Sequence, residues 1–167
     1  MNPDICCRCA HQGPTCCHHS PGEERFFFPL PQAEQAALRA SGLVREEDFL
    51  AEPNHPEFLQ ALERLFPGAP VTRCFPEGAT HLRLATQNGA CVLLSPQGCR
   101  LPRYLRPYFC RIYPLWSIQG RLALFHNPRC LAYQKSPHPQ GMLKLMGCSA
   151  DTIHDHVATL RQLLFEV

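Results

Sequence analysis

Apolar residues recur with helical spacing in several parts of the chain. The stretch that follows Pro31 consists of strong helix formers and stops at Gly42. The next has Pro56 at its first position and apolar residues at i, i+3, i+4 and i+7. In the tail, Ser149 is a suitable N-cap for a last helix. We predict helices at about 31–42, 56–66 and 149–165, with a further helix signal from Pro139 to Met146.

Alternating apolar and polar residues predict strands in the middle of the chain. Residues 81–86 alternate, and residues 90–94 return after Asn88-Gly89, the strongest short signal for a hairpin. Residues 115–125 have the pattern of a second hairpin around Gln119-Gly120. These elements predict a small, irregular α+β domain with about three to four helices and one or two β-hairpins.

Two cysteine-rich stretches interrupt this pattern. Residues 5–20 contain a C-x2-C pair and a vicinal CC pair, with no helical or strand period and a turn at Gly13-Pro14. In residues 91–110, Cys91 follows the hairpin turn and Cys99 follows the turn at 96–98. A third lies in the short helical turn that Arg106-Pro107 opens. We expect the two stretches to meet in space.

The cysteine count raises two possibilities, a disulfide framework or a metal site. Eleven cysteines in 167 residues far exceed ordinary usage, and 17 prolines indicate much irregular backbone. The residues before Cys6 lack the basic and apolar regions of a signal peptide, and no stretch is long enough to span a bilayer. We therefore expect a soluble, cytoplasmic protein that makes no membrane contact. Thiols stay reduced there, so clustered cysteines indicate metal or redox chemistry.

The charge is unevenly distributed along the chain. Although the formal net charge is +2, residues 1–77 carry six basic and eleven acidic residues, a balance of −5. Residues 78–150 carry nine basic residues and no acid, a balance of +9. This basic middle part can offset bound thiolates, attract a small anion or contact nucleic acid.

The spacing of the cysteines predicts a thiolate-bound metal centre. A C-x2-C pair lets two sulfur atoms of one loop reach one metal, and cysteines beside tight turns are typical ligands. The vicinal pair suits two different ions or two irons of one cluster, because neighbouring side chains of extended backbone point to opposite faces. The predicted ligands are Cys6, Cys9, Cys16, Cys17, Cys91, Cys99 and Cys110, with Cys130 as a further candidate. Cys7 is an extra thiol, and we interpret Cys74 and Cys148 as packed apolar side chains.

Other side chains are weaker candidates for metal ligands, catalytic groups or nucleic-acid contacts. His18 and His19 follow the vicinal pair, but paired histidines in a polar loop are more often solvated than metal-bound. His126 could act as a base for Cys110, although a structural thiolate is the simpler interpretation of that cysteine. Arginines are interleaved with aromatic residues in the basic part, as in single-stranded nucleic-acid sites, but compensation of thiolate charge together with cation–π packing is the simpler interpretation. We do not favour a nucleic-acid partner.

The order of the motifs resembles the bacterial cysteine-cluster proteins of the CxxCxxCC family, which are described as zinc- or iron-chelating. The resemblance covers roughly residues 5–115 and includes R-P-x-x-C-R-x-Y-P around Cys110. Six residues separate Cys9 from Cys16 where the family has a shorter gap, and Cys7 is extra. One branch is similar to the flagellin lysine methylases, which implies an iron–sulfur cluster and S-adenosylmethionine. That branch is longer, and this chain has no Gly-rich nucleotide-binding motif.

We predict one domain over residues 1–167, with a metal-ligand core at 5–130 and a helical tail at 136–167. Because the clustered thiols exceed what one zinc ion needs, a 4Fe-4S iron–sulfur cluster is favoured and zinc is the alternative. Arg106 and Arg111 are the candidates for holding a small anion or cosubstrate. The predicted function is metal binding with a redox or metal-handling role. The alternatives are a methylase-type enzyme that uses S-adenosylmethionine and a zinc-stapled module that binds nucleic acid or protein.

Overall fold

The fold is described by a computed structural model that covers residues 5–13, 15–20, 23 and 27–166. Within these residues the protein is a mixed α+β structure with eight α-helices and four two-stranded antiparallel sheets. The mixed class confirms the sequence prediction, whereas the predicted three to four helices are too few. The chain divides into two compact units, Met1–His18 with Leu93–Val157 and His19–Val92 with Ala158–Val167. We call them the first and the second unit.

The helices are short except near the C-terminus. In chain order they are α1 (Ile5–Ala10), α2 (Gln32–Ala40), α3 (Pro56–Leu65), α4 (Val71–Cys74), α5 (Tyr108–Ile112), α6 (Leu131–Lys135), α7 (Pro139–Met146) and α8 (Ala150–Phe165). The strands are β1 (Phe49–Pro53), β2 (Thr80–Leu84), β3 (Thr86–Gln87), β4 (Ala90–Cys91), β5 (Leu94–Ser95), β6 (Gly98–Cys99), β7 (Leu115–Ile118) and β8 (Arg121–Leu124). Of these helices, none is long and apolar enough to cross a membrane.

The first unit holds α1, the hairpins β5–β6 and β7–β8, and the helices α5, α6 and α7. The β7–β8 hairpin turns at Gln119 and Gly120, which both have positive φ, as the sequence predicts. Helix α1 packs against β6 and α6. The core of this unit consists of fully buried apolar side chains, namely Leu93, Leu101, Ile112, Leu115, Trp116, Met142 and Ile153.

The second unit contains a strand pairing that local sequence patterns do not predict. Strand β2 pairs with β1, from Thr80 opposite Pro53 to Leu84 opposite Phe49. The predicted return over residues 90–94 is therefore only a two-residue hairpin, β3–β4, around Asn88 and Gly89. Aromatic side chains pack together in this unit. The rings of Phe66 and Phe165 meet edge to face, with their centroids 5.2 Å apart.

The longer helices were predictable and the shorter ones were not. Helices α2, α3, α7 and α8 lie where the sequence predicts helices, and the Ser149 hydroxyl accepts a hydrogen bond from the Thr152 amide at 3.1 Å as the N-cap of α8. The prediction of no regular structure in residues 5–20 is wrong for Ile5–Ala10, which form α1. A helix of six residues is too short to show apolar periodicity.

Candidate metal centre

Helix α1 presents the C-x2-C pair from one side. Cys6 and Cys9 are three residues apart on a helix, so their side chains leave the backbone on the same face. Cys9 is buried, and its thiol lies 3.8 Å from the carbonyl oxygen of Arg129. The pair is thus held on a packed helix rather than in the irregular segment that the sequence predicts.

A tight turn holds the vicinal pair. The buried Thr15 hydroxyl accepts a hydrogen bond from the Cys17 amide at 3.0 Å, and the Thr15 amide donates to Nδ1 of His18 at 3.1 Å. His18 therefore uses one ring nitrogen to shape this turn. The ring of His19 packs edge-on against Phe27 at 4.3 Å, within the second unit.

The thiols of the vicinal pair interact directly. A hydrogen bond with Cys17 raises the pKa of Cys16 well above its usual value, and burial and the charge of Cys17 add to the rise. The hydrogen bond from Cys16 lowers the pKa of Cys17 to about 7 against the opposing effect of burial, with help from Thr15 and Arg106. Cys17 is therefore the thiol of this pair that ionises first, and Cys16 keeps its proton.

Four more cysteines of the first unit belong to the same group, three through electrostatic interaction with this pair and Cys9 through its interaction with Cys130. The charges of Cys6 and Cys130 contribute to the raised pKa of Cys16. Burial raises the pKa of Cys99, and the charge of Cys17 adds to that rise. Burial likewise raises the pKa of Cys130, and the charges of Cys9 and Cys17 act in the same direction. We call these residues the thiol cluster: Cys6, Cys9, Cys16, Cys17, Cys99 and Cys130.

A glycine allows the two cysteine-bearing segments of this unit to approach closely. Gly98 has a φ of +103°, and a Cβ atom at this position would lie 3.2 Å from Cα and 3.3 Å from Sγ of Cys7. The β5–β6 turn therefore packs directly on α1, which places Cys99 beside the helix. Cys7, the extra thiol of the sequence, packs against this glycine.

The loop before α6 brings in Cys130. The Asn127 side chain accepts a hydrogen bond from the Arg129 amide at 2.9 Å, which forms a tight turn. Arg129 then donates from Nη1 to the carbonyl oxygen of His18 at 3.2 Å. Because this turn contacts both α1 and the segment after the vicinal pair, Cys130, which is 7 % exposed, faces the cluster from a third stretch of chain.

Arg106 connects the thiol cluster to a small surface depression. Its side chain is 7 % exposed, and its Nε atom donates to the Leu101 carbonyl oxygen at 3.0 Å. Its charge and a hydrogen bond lower the pKa of Cys99, which partly offsets the effect of burial. The depression is lined by Ile5, Cys6, Arg103, Arg106, Cys110, Arg111 and Met146. Cys110, an exposed cysteine, thus stands beside both predicted anion-binding arginines.

Three cysteines lie elsewhere. Cys91, a predicted ligand, is on β4 in the second unit, opposite Thr86. Cys74 ends α4 in the same unit. Cys148 follows α7, where its thiol lies 4.0 Å from the Leu143 carbonyl oxygen and burial raises its pKa.

The donor chemistry of the cluster fits a thiophilic metal, but the thiols do not form a closed cage. No disulfide joins any of the eleven cysteines, all of which lie in the described part of the chain. Among the described residues, no group of three or more cysteine, histidine, aspartate or glutamate side chains is arranged to hold a metal ion. The cluster therefore supplies soft ligands, whose sulfur atoms would have to draw together around a metal.

Sequence reasoning missed Arg103 as a member of the site. It lies in a short 3-10 turn, and its Nη1 donates to the Met146 carbonyl oxygen at 2.8 Å across 43 residues of chain. The signal in the sequence is the run of arginines at positions 103, 106 and 111 in a stretch without acids. Only the fold shows that the three side chains line one depression.

Comparisons with protein-family models, with curated proteins and with solved structures found no match to this chain. The resemblance to the cysteine-cluster family therefore stays a prediction from the motifs.

Proposed function

We propose that the thiol cluster binds a thiophilic metal centre, with an iron–sulfur cluster favoured and zinc as the alternative. The observation that carries this proposal is the close approach of three separate parts of the first unit that carry six cysteines: Gly98, next to Cys99, packs on α1, and Arg129, next to Cys130, contacts Cys9 and His18. Cysteines that pack independently as small apolar residues would not be expected to group together from three parts of the chain.

The number of thiols favours a centre with more than one metal. A single zinc ion takes four ligands, and the cluster has six thiols in addition to the exposed Cys110. Cys16 and Cys17 are adjacent in sequence and hydrogen-bonded to each other, which suits ligands of neighbouring metals in one centre. Such a centre is consistent with a redox or metal-handling role.

Arg106 supports this proposal through charge. Thiolates brought together repel one another, and a nearby cation lowers the cost of ionising them. The charge of Arg106 lowers the pKa of both Cys17 and Cys99. A guanidinium stays protonated under all ordinary conditions, so its compensation does not vary with pH.

Metal analysis of protein purified without oxygen tests the proposal. We expect stoichiometric iron and acid-labile sulfide with visible absorption, or stoichiometric zinc in a colourless protein. Cys17→Ser should lower metal affinity by more than the roughly 10- to 100-fold that loss of a supporting residue costs. Cys74→Ser, in the second unit, is the matched control and should keep the full metal content. Folded protein without iron or zinc, or equal metal content in both variants, would overturn the proposal.

A further inference from the structure

The depression beside the thiol cluster concentrates positive charge. Arg103, Arg106 and Arg111 line it together with two apolar side chains and two thiols, and no carboxylate is among its lining residues. Three like charges at one place repel each other, and bringing an anion among them relieves that repulsion. The three arginines can therefore attract an anion whether or not the thiols hold a metal.

The guanidinium groups are held in position by backbone carbonyls. Arg103 donates from Nη1 to Met146 at 2.8 Å, and Arg111 donates from Nε to the carbonyl oxygen of Arg106. Arg111 also stacks on the ring of Tyr108, with 4.4 Å from Cζ to the ring centroid. A guanidinium has five N–H groups, so each of these two bonds orients the side chain and uses only one donor. Oriented arginine forks are suited to the oxygens of carboxylate, phosphate or sulfate.

A nearby histidine reports the same positive field. His156 packs edge-on against Tyr108 with ring centroids 5.0 Å apart. Burial is the main cause of its lowered pKa, and the charges of Arg111 and Arg103 lower it further, against the opposing charge of Asp155. Arg103 and Arg111 are therefore close enough to His156 on α8 to disfavour a positive charge there.

We propose that Arg103 and Arg111, backed by Arg106, form a binding site for a small oxyanion beside the thiol cluster. The depression is partly open to solvent, and its volume of about 10 Å³ admits a group the size of one water molecule. It therefore takes an oxygen of a free inorganic ion or of the terminal carboxylate or phosphate of a small organic molecule. Cys110 is exposed at this site, so the ligand binds next to a thiol.

Calorimetric titration at constant low ionic strength tests the site, with inorganic phosphate, sulfate, methyl phosphate and acetate as probes. We expect saturable 1:1 binding of at least one probe, and preference for methyl phosphate or acetate over the inorganic ions identifies an organic ligand. Arg103→Gln and Arg111→Gln should each weaken binding about tenfold or more, which corresponds to loss of one charged hydrogen bond. Arg121→Gln, on the exposed side of β8, is the matched control and should bind like the native protein.

Two further measurements separate this site from local unfolding and from the metal centre. Cys110→Glu places a carboxylate at an exposed position of the site, so it should weaken binding far more than Cys110→Gln, which has nearly the same size and no charge. Metal content measured for every variant shows whether the thiol cluster is intact, so failure of the anion site is distinguishable from failure of metal binding. Absence of saturable heat for all four probes, equal affinities in the arginine variants and the native protein, or binding of single-stranded RNA alone would overturn the proposal.

Discussion

Individual residues of this protein owe their properties to burial and to one or two neighbours. His81, in the second unit, is 6 % exposed, lies face to face with Phe58 at 3.9 Å, and has Nδ1 2.9 Å from the side-chain oxygen of Asn54. Because that oxygen only accepts, Nδ1 carries the hydrogen of a neutral ring. Nε2 is buried without a hydrogen-bond partner in the described part of the chain. His81 is thus folded as a neutral side chain.

The neutral state of His81 makes stability depend on pH. Burial lowers its pKa to about 4 from the ordinary 6.5, and the charges of Arg83 and His55 act in the same direction against that of Glu52. Above pH 6.5 both the folded and the unfolded states are neutral at this residue. As the pH falls from 6.5 towards 4 the unfolded state takes up the proton first, so we expect the free energy of unfolding to fall.

Urea unfolding across this pH range measures the effect. The free energy of unfolding should fall by less than about 1.4 kcal/mol per pH unit, which is the limit for the uptake of one proton. His81→Phe should flatten the profile between pH 6.5 and 4, while His138→Gln, at an exposed position of the first unit, should leave it unchanged. The same slope in His81→Phe and in the native protein would contradict the assignment.

At the scale of elements, close packing of the β5–β6 turn on α1 is what assembles the cluster. Gly98→Ala adds a Cβ that meets α1 and forces an L-residue into a φ of +103°. We expect a loss of about 1 kcal/mol or more in stability, together with weaker metal binding, because Cys99 and α1 must move apart. Chemical unfolding and metal analysis of the variant measure the two effects separately.

Gly120→Ala is the matched control for this substitution. Gly120 also has positive φ, +77°, but a Cβ there would have no neighbour within 4 Å. It should therefore cost stability through backbone strain without loss of metal. If both variants lose metal equally, packing of Gly98 on α1 does not assemble the site.

Elements set by local chemistry were predictable, and those set by distant contacts were not. Gln119-Gly120 and Asn88-Gly89 determine their turns through the positive φ that the local sequence favours. In contrast, β1 pairs with β2 across 26 or more residues of chain, and its sequence FLAEP has no clear alternation that would indicate a strand. A short helix such as α1 forms because it packs against β6 and α6, and its own six residues do not indicate it.

The candidate site was predicted in part for the same reason. Motif spacing selected Cys6, Cys9, Cys16 and Cys17, and the fold brings these residues into the cluster with Cys99 and Cys130. It places Cys110 at the neighbouring depression instead, and Cys91 in the second unit. The arrangement of Arg103 depends on its bond to Met146, a contact between parts of the chain that sequence spacing does not relate.

At the scale of the whole molecule, the candidate metal and anion sites both belong to one of the two units. All six residues of the thiol cluster and the three arginines of the depression belong to the first unit. If the cluster holds a metal, binding free energy stabilises the unit that provides the ligands. Local stability can then differ between the units.

Hydrogen exchange before and after chelation tests this division. Removing the metal should raise exchange rates at least tenfold, about 1.4 kcal/mol of local stability, in α1, β5–β6 and α6. Amides that pair β1 with β2 belong to the second unit and should keep their protection. Equal loss of protection in both units would mean that they unfold together, contrary to this expectation.

The hydrogen bond between Cys16 and Cys17 has a consequence for the release of protons. A thiol that donates to its ionised neighbour still carries a hydrogen, and a metal can replace that hydrogen only by expelling it to solvent. Loading the site at neutral pH would then acidify an unbuffered solution. Alkaline conditions would favour retention of the metal, and mild acid would favour its discharge.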